Sequence, residues 1–202
     1  MKRNILFTVL FTALLAGSSF GQLISVGVGG GLTALTGDNS YTAENAMNLS
    51  SGIHYGGKLI VSVPLLPIQF TANIYNNPLD GEYTLETINT TVTTETSFLS
   101  AGIGAEMTLL PGPIKPYLAG ELLYTSFGET TKTSKNDLGE ISEVYPAAED
   151  GLGVGLGAGL YFKLLPVIDL DLSAHYNMNT LLSDGETMNS THIRLNVLIS
   201  IL

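Results

Sequence analysis

The chain has 202 residues, room for one domain or two small ones, and it contains no Cys, which excludes disulfides, thiolate metal sites and lipoprotein acylation. Only 13% of residues are charged while 45% are hydrophobic, and 23 are Gly; that is too apolar for a disordered chain and too poor in charge for an ordinary soluble surface. Eight Lys and Arg against 18 Asp and Glu give a net charge of -10, which excludes the basic footprint that nucleic acid requires.

Residues 1–21 read as a secretory signal. Lys2 and Arg3 form a positive start, Ile5 to Gly17 is an apolar run, and Ser19-Phe20-Gly21 places small residues where a signal peptidase cuts, before Gln22. The run is short for a helix that must cross ~30 Å of hydrocarbon. Residues 22–202 are the expected mature domain.

From there the chain alternates apolar and small or polar residues with a period of two, a pattern that no helix produces. In chain order, strands are predicted at Leu23–Ala34, Gly52–Val63, Ile68–Asn76, Phe98–Leu109, Tyr117–Phe127, Leu152–Phe162, Ile168–Asn177 and Ile193–Ile201. Each is near the ~9–11 residues of a tilted membrane strand. The sixth alternates its apolar residues with Gly153, Gly155, Gly157 and Gly159. The last sets Ile193, Leu195, Val197, Ile199 and Ile201 against Arg194, Asn196 and Ser200.

The connections alternate short and long. Three short ones carry a Leu-Pro element: Pro64-Leu65-Leu66-Pro67, Leu110 to Pro116, and Leu164-Leu165-Pro166-Val167. Proline ends strands because it has no N–H for the ladder. The four long connections, 35–51, 77–97, 128–150 and 181–191, hold 14 of the 18 acidic residues and only two lysines. The acidity is thus expected on one rim, and the 77–97 connection is expected to extend its hairpin above the membrane.

Orientation follows from what each face can tolerate. Were the apolar set turned inward, the glycine row would be bared to solvent, which costs backbone entropy and packs nothing. Turned to the lumen, those glycines make room for long side chains. By parity the lumen receives Lys58, Glu106, Glu121, Lys163, Asp169, Asp171, His175 and Arg194, four acidic residues, three basic ones and a histidine. They are expected to form a paired charge network, because buried charges need partners. The outward set carries no charge, as lipid demands.

A signal segment, eight alternating strands, tight proline turns and long acidic loops resemble the small outer-membrane β-barrel family of the OmpA-barrel, OmpX and OmpW type, over nearly all of residues 22–202. The resemblance implies an all-β, eight-stranded antiparallel up-and-down transmembrane barrel in the cell outer membrane of a Gram-negative-type bacterium, with outer-membrane lipid as its surroundings. Members often end in an outward aromatic; here the end is Ile199-Ser200-Ile201-Leu202.

No catalytic motif stands out. The glycine runs lack a phosphate-loop lysine and open no helix. His54, His175 and His192 share inward parity, but His54 and His192 lie toward the long-loop rim and His175 deeper, and no ligand spacing links them, so no metal or other cofactor is expected. Ser190 and His192 are near in sequence, a spacing too common to indicate a nucleophile and its base. Asp80, Glu82, Asp184 and Glu186 come from a repeated Asp-Gly-Glu in two long loops. They read as turn chemistry or as a candidate cation site. The expected function is non-enzymatic: a membrane anchor displaying acidic loops toward an extracellular ligand, a cation or lipopolysaccharide, for surface interaction or envelope integrity. Two alternatives stay open, a narrow channel or small-molecule transporter, and a secreted, lipocalin-like ligand-binding barrel.

Overall fold

In a computed structural model the described residues are 23–36, 49–63, 66–85, 89–136, 139–145, 150–181 and 187–201. The signal segment lies outside them. Ten strands appear: β1 (Leu23–Thr36), β2 (Ser51–Ser62), β3 (Ile68–Leu85), β4 (Thr90–Thr108), β5 (Ile114–Phe127), β6 (Thr130–Asn136), β7 (Gly139–Tyr145), β8 (Asp150–Leu165), β9 (Ile168–Leu181) and β10 (Thr187–Ile201).

Eight of them form the barrel. β1 through β5 pair in succession, β5 pairs with β8, β8 with β9, β9 with β10, and β10 returns to β1, all antiparallel. The ring therefore closes, and closure satisfies backbone N–H and C=O groups without water. One interruption has a plain cause. Pairing between β2 and β3 skips from Ser51↔Asp80 to Tyr55↔Asn76, and Pro78, which lacks a donor, lies in the gap.

The other two strands revise the sequence reading. The 128–150 connection is not merely a polar loop: β6 and β7 pair as a hairpin, and β6 adds to the upper part of β4 from Thr91↔Lys135 to Glu95↔Thr131. The β3–β4 hairpin does continue past the barrel, with pairing out to Leu85↔Thr90. Together β3, β4, β6 and β7 make a four-stranded sheet that projects from one rim.

The opposite rim is built from the short turns. Proline cannot donate there, but its carbonyl accepts. Thr108 N donates to Pro67 O (2.7 Å), Leu109 N to Pro116 O (2.8 Å) and Lys163 N to Pro113 O (3.0 Å). The first and last of these bonds stitch neighbouring turns together, and the middle one closes the β4–β5 turn on itself.

The barrel is inverted relative to a water-soluble one. Its outward face bares Val28 (70% exposed), Ile53 (69%), Ile103, Leu122, Leu156 and Val197, while the buried set is dominated by polar and charged residues. This pattern fits hydrocarbon outside and a packed polar lumen. It removes the ground for a soluble, lipocalin-like barrel, which would bury the apolar set. The glycine row of β8 has the role parity suggests. A Cβ at Gly153, Gly155, Gly157 or Gly159 would collide with the side chains of Asn179, Asn177, His175 and Tyr117 respectively. Each large lumen residue lies over a position with nothing to displace.

Candidate functional site

The lumen is a column of layers, each assembled from inward positions of several strands. Lowest, toward the short turns, Lys58 on β2 reaches two carboxylates: its Nζ lies 2.6 Å from Glu106 Oε1 and 2.7 Å from Asp171 Oδ2. The ammonium also donates to the Tyr161 hydroxyl (3.0 Å) and sits beside the Tyr117 and Tyr161 rings, which stack with centroids 4.6 Å apart. Tyr117 donates to Asp171 Oδ1 (2.6 Å), Tyr161 donates to Glu106 Oε2, and Gln69 Nε2 donates to the same oxygen (2.8 Å). Every carboxylate oxygen of the layer is thereby engaged, the condition under which buried ions are tolerable.

One layer up, Glu121 on β5 is the centre. Arg194 Nη2 and His175 Nδ1 lie 3.4 Å and 3.3 Å from its Oε1, and Asn73 Nδ2 donates to Oε2 (2.8 Å). Arg194 also covers the Tyr75 ring, 4.8 Å from its centroid. Tyr75 donates to Asn196 (2.7 Å), and Asn196 donates to Asp171 (3.2 Å), so the two charge layers are joined. The void between them measures about 10 Å³, room for about one water.

The third layer gathers residues that sequence spacing kept apart. The Asn77 amide group donates to Tyr75 O and Phe98 O, which fixes its orientation. The Thr33 hydroxyl donates to Asn77 Oδ1 (2.9 Å), so its oxygen accepts from both His54 Nδ1 (2.9 Å) and His192 Nδ1 (3.0 Å). The two imidazoles meet edge on, with centroids 5.5 Å apart, whereas His175 belongs to the layer below. Ser190 Oγ is 2.9 Å from His192 Nε2. That is the spacing of a nucleophile and base, yet Ser190 is 0% and His192 2% exposed. Above this layer Leu35, Leu49, Leu79, Phe98, Phe127 and Met188 pack into an apolar cap toward the long-loop rim.

Of the eight lumen residues named from parity, Lys58, Glu106, Glu121, Asp171, His175 and Arg194 converge in the two layers. Lys163 and Asp169 do not join them. Lys163 is exposed, Asp169 is half-buried, and both lie at the short-turn mouth. Parity assigned only a side of the sheet, and these two stand at the strand ends beside the short turns, beyond the enclosed layers. The tyrosines, asparagines and cap residues went unnamed, although parity was available for them too: outward Phe162 makes Tyr161 inward.

On the projecting sheet Asp80 faces Glu95 and Glu82 faces Thr93 across the β3–β4 ladder; the three acidic residues are exposed and Thr93 is half-buried. Asp184 and Glu186 lie outside the described residues, and among those described no three His, Asp or Glu side chains are grouped for a metal.

No family model and no curated protein sequence matches the chain. Solved structures do. The crystal structure of Ail, the attachment invasion locus protein of Yersinia pestis, in complex with the heparin analogue sucrose octasulfate, is similar at a TM-score of 0.51 and 14% identity, over 88% of this chain and 99% of that one. A major outer membrane protein from Thermus thermophilus is similar at 0.52 and 15% identity, over 90% and 100%. With the ring closed and the apolar face turned outward, this chain has the fold of the small eight-stranded outer-membrane β-barrel proteins.

Proposed function

We propose that the protein is a non-enzymatic outer-membrane anchor whose work is done by the acidic sheet and loops above the barrel. The observation that carries this reading is the filled lumen. Three hydrogen-bonded layers are stacked under an apolar cap, and the void at their centre is water-sized. An eight-stranded barrel leaves interior space just sufficient for side chains, and here they use it. The channel alternative would need a continuous wet path. The enzyme alternative would need a route to Ser190, which is enclosed on every side.

The partner is expected to be cationic or bridged by cations. Polyanions such as the sucrose octasulfate held by Ail would meet a rim with 14 acidic side chains and two lysines and be repelled. The test is electrical. Purified mature protein inserted into a planar bilayer is expected to give no discrete openings. Steady discrete openings from the folded wild-type protein would establish the channel instead.

A further inference from the structure

Below the lowest charge layer the lumen widens into a cup of about 320 Å³ that opens at the short-turn rim, floored by Ile60, Tyr161 and Leu198. Lys115 and Lys163 stand on its wall, and neither has an acidic partner among the described residues. Asp169 is opposite Lys163 in the β8–β9 register, yet no ion pair joins them, and Asp169 Oδ1 is buried with no hydrogen-bond donor. Elsewhere on the wall the Ser25 and Ser200 hydroxyls bond each other at 3.1 Å, and Ser62 donates to Gln69 at 3.3 Å. The cup therefore offers two amines that lack an anion and, half-buried on its wall, a carboxylate that lacks a cation. A compact zwitterion, phosphate at one end and primary ammonium at the other, answers both needs.

The rim itself says where such a ligand comes from. Leu66, Leu110, Leu164 and Leu165, at the tips of all three short turns, are exposed. Apolar turn tips are out of place in water and at home in the boundary between acyl chains and headgroups. That depth sets the mouth of the cup among lipid headgroups.

We propose that the cup binds the phosphoethanolamine headgroup of an inner-leaflet phospholipid, with Lys115 and Lys163 on the phosphate and Asp169 accepting from the ammonium. This holds whatever the loops contact on the other rim. A choline headgroup has no N–H to give Asp169, and a glycerol headgroup has no ammonium.

The experiment measures binding of short-chain phosphatidylethanolamine, phosphatidylcholine and phosphatidylglycerol, and of soluble O-phosphoethanolamine, to the purified mature barrel in detergent by native mass spectrometry. Heat-modifiable gel migration checks that each variant is folded. Phosphatidylethanolamine is expected to bind roughly tenfold tighter than phosphatidylcholine, the worth of a charge-assisted hydrogen bond. Asp169→Asn is expected to erase that preference while phosphate-bearing lipids still bind. The pair Lys115→Ala and Lys163→Ala is expected to weaken all three lipids, and Lys→Arg at both positions to restore them. Equal binding of the ethanolamine and choline lipids to the wild type, or a preference that survives Asp169→Asn, would overturn the proposal. Soluble phosphoethanolamine binding as tightly as the lipid would overturn the lipid source.

Discussion

The barrel body and the sheet above it use the same strands under opposite rules. Within the body, β3 and β4 carry Asn73, Tyr75 and Glu106 inward, where each has a named partner, and Ile74 and Ile103 outward, where each faces hydrocarbon. A few residues higher the same two strands hold Asp80 and Glu95 side by side in the open. Like charges directly opposite weaken a ladder, and it is the other face of this stretch, with Leu79, Val92 and Thr94 buried, that holds it in place. The difference separates two environments: paired charges are enclosed where the lumen is dense, and unpaired like charges sit where solvent screens them.

That division can be broken most sharply at Lys58. Lys58→Met leaves Glu106 and Asp171 buried without a cation, at an expected cost of ~3–5 kcal/mol, read as a lower urea midpoint for unfolding from detergent micelles. An outward substitution should cost somewhat less. Leu122→Arg puts a charge on the lipid face between Leu118 and Tyr124, with an expected loss of ~2–4 kcal/mol if it lies near the bilayer midplane, measured by reversible unfolding from vesicles. The smallest effect belongs to the projection. Replacing residues 131–145 with a short Gly-Ser linker removes most of β6 and all of β7 but spares Thr130, which donates to the buried Thr96 hydroxyl, so barrel stability should change by less than in either point variant. A large loss would show that the hairpin holds up the ring.

How much of this was legible beforehand depended on which kind of order was at stake. The face of each strand residue could be read, because alternation has one period and lipid imposes it strictly; Arg194, His175 and Lys58 are inward as that period requires. The encounters across the barrel could not. His54 and His192 meet because β1 pairs on both sides, bringing Gly31 level with His54 and Thr33 level with His192. That stagger is a property of the closed ring and leaves no mark in either strand alone. The β6–β7 hairpin escaped for another reason. Thr130 to Asn136 has no apolar residue, so a search for greasy alternation passes over it.

The pairing of the first barrel strand with the last has a consequence for how the molecule is made. β10 contributes a member to every storey of the lumen: Leu198 to the floor, Asn196 and Arg194 to the charged storeys, His192 and Ser190 above them, and Met188 to the roof. Until that seam zips, each storey lacks a piece: Glu121 is without Arg194, and Asp171 is without Asn196. Contacts so distant along a chain form slowly. The interior is therefore completed only when the last strand made is in place, and sealing the ring is also what finishes filling it.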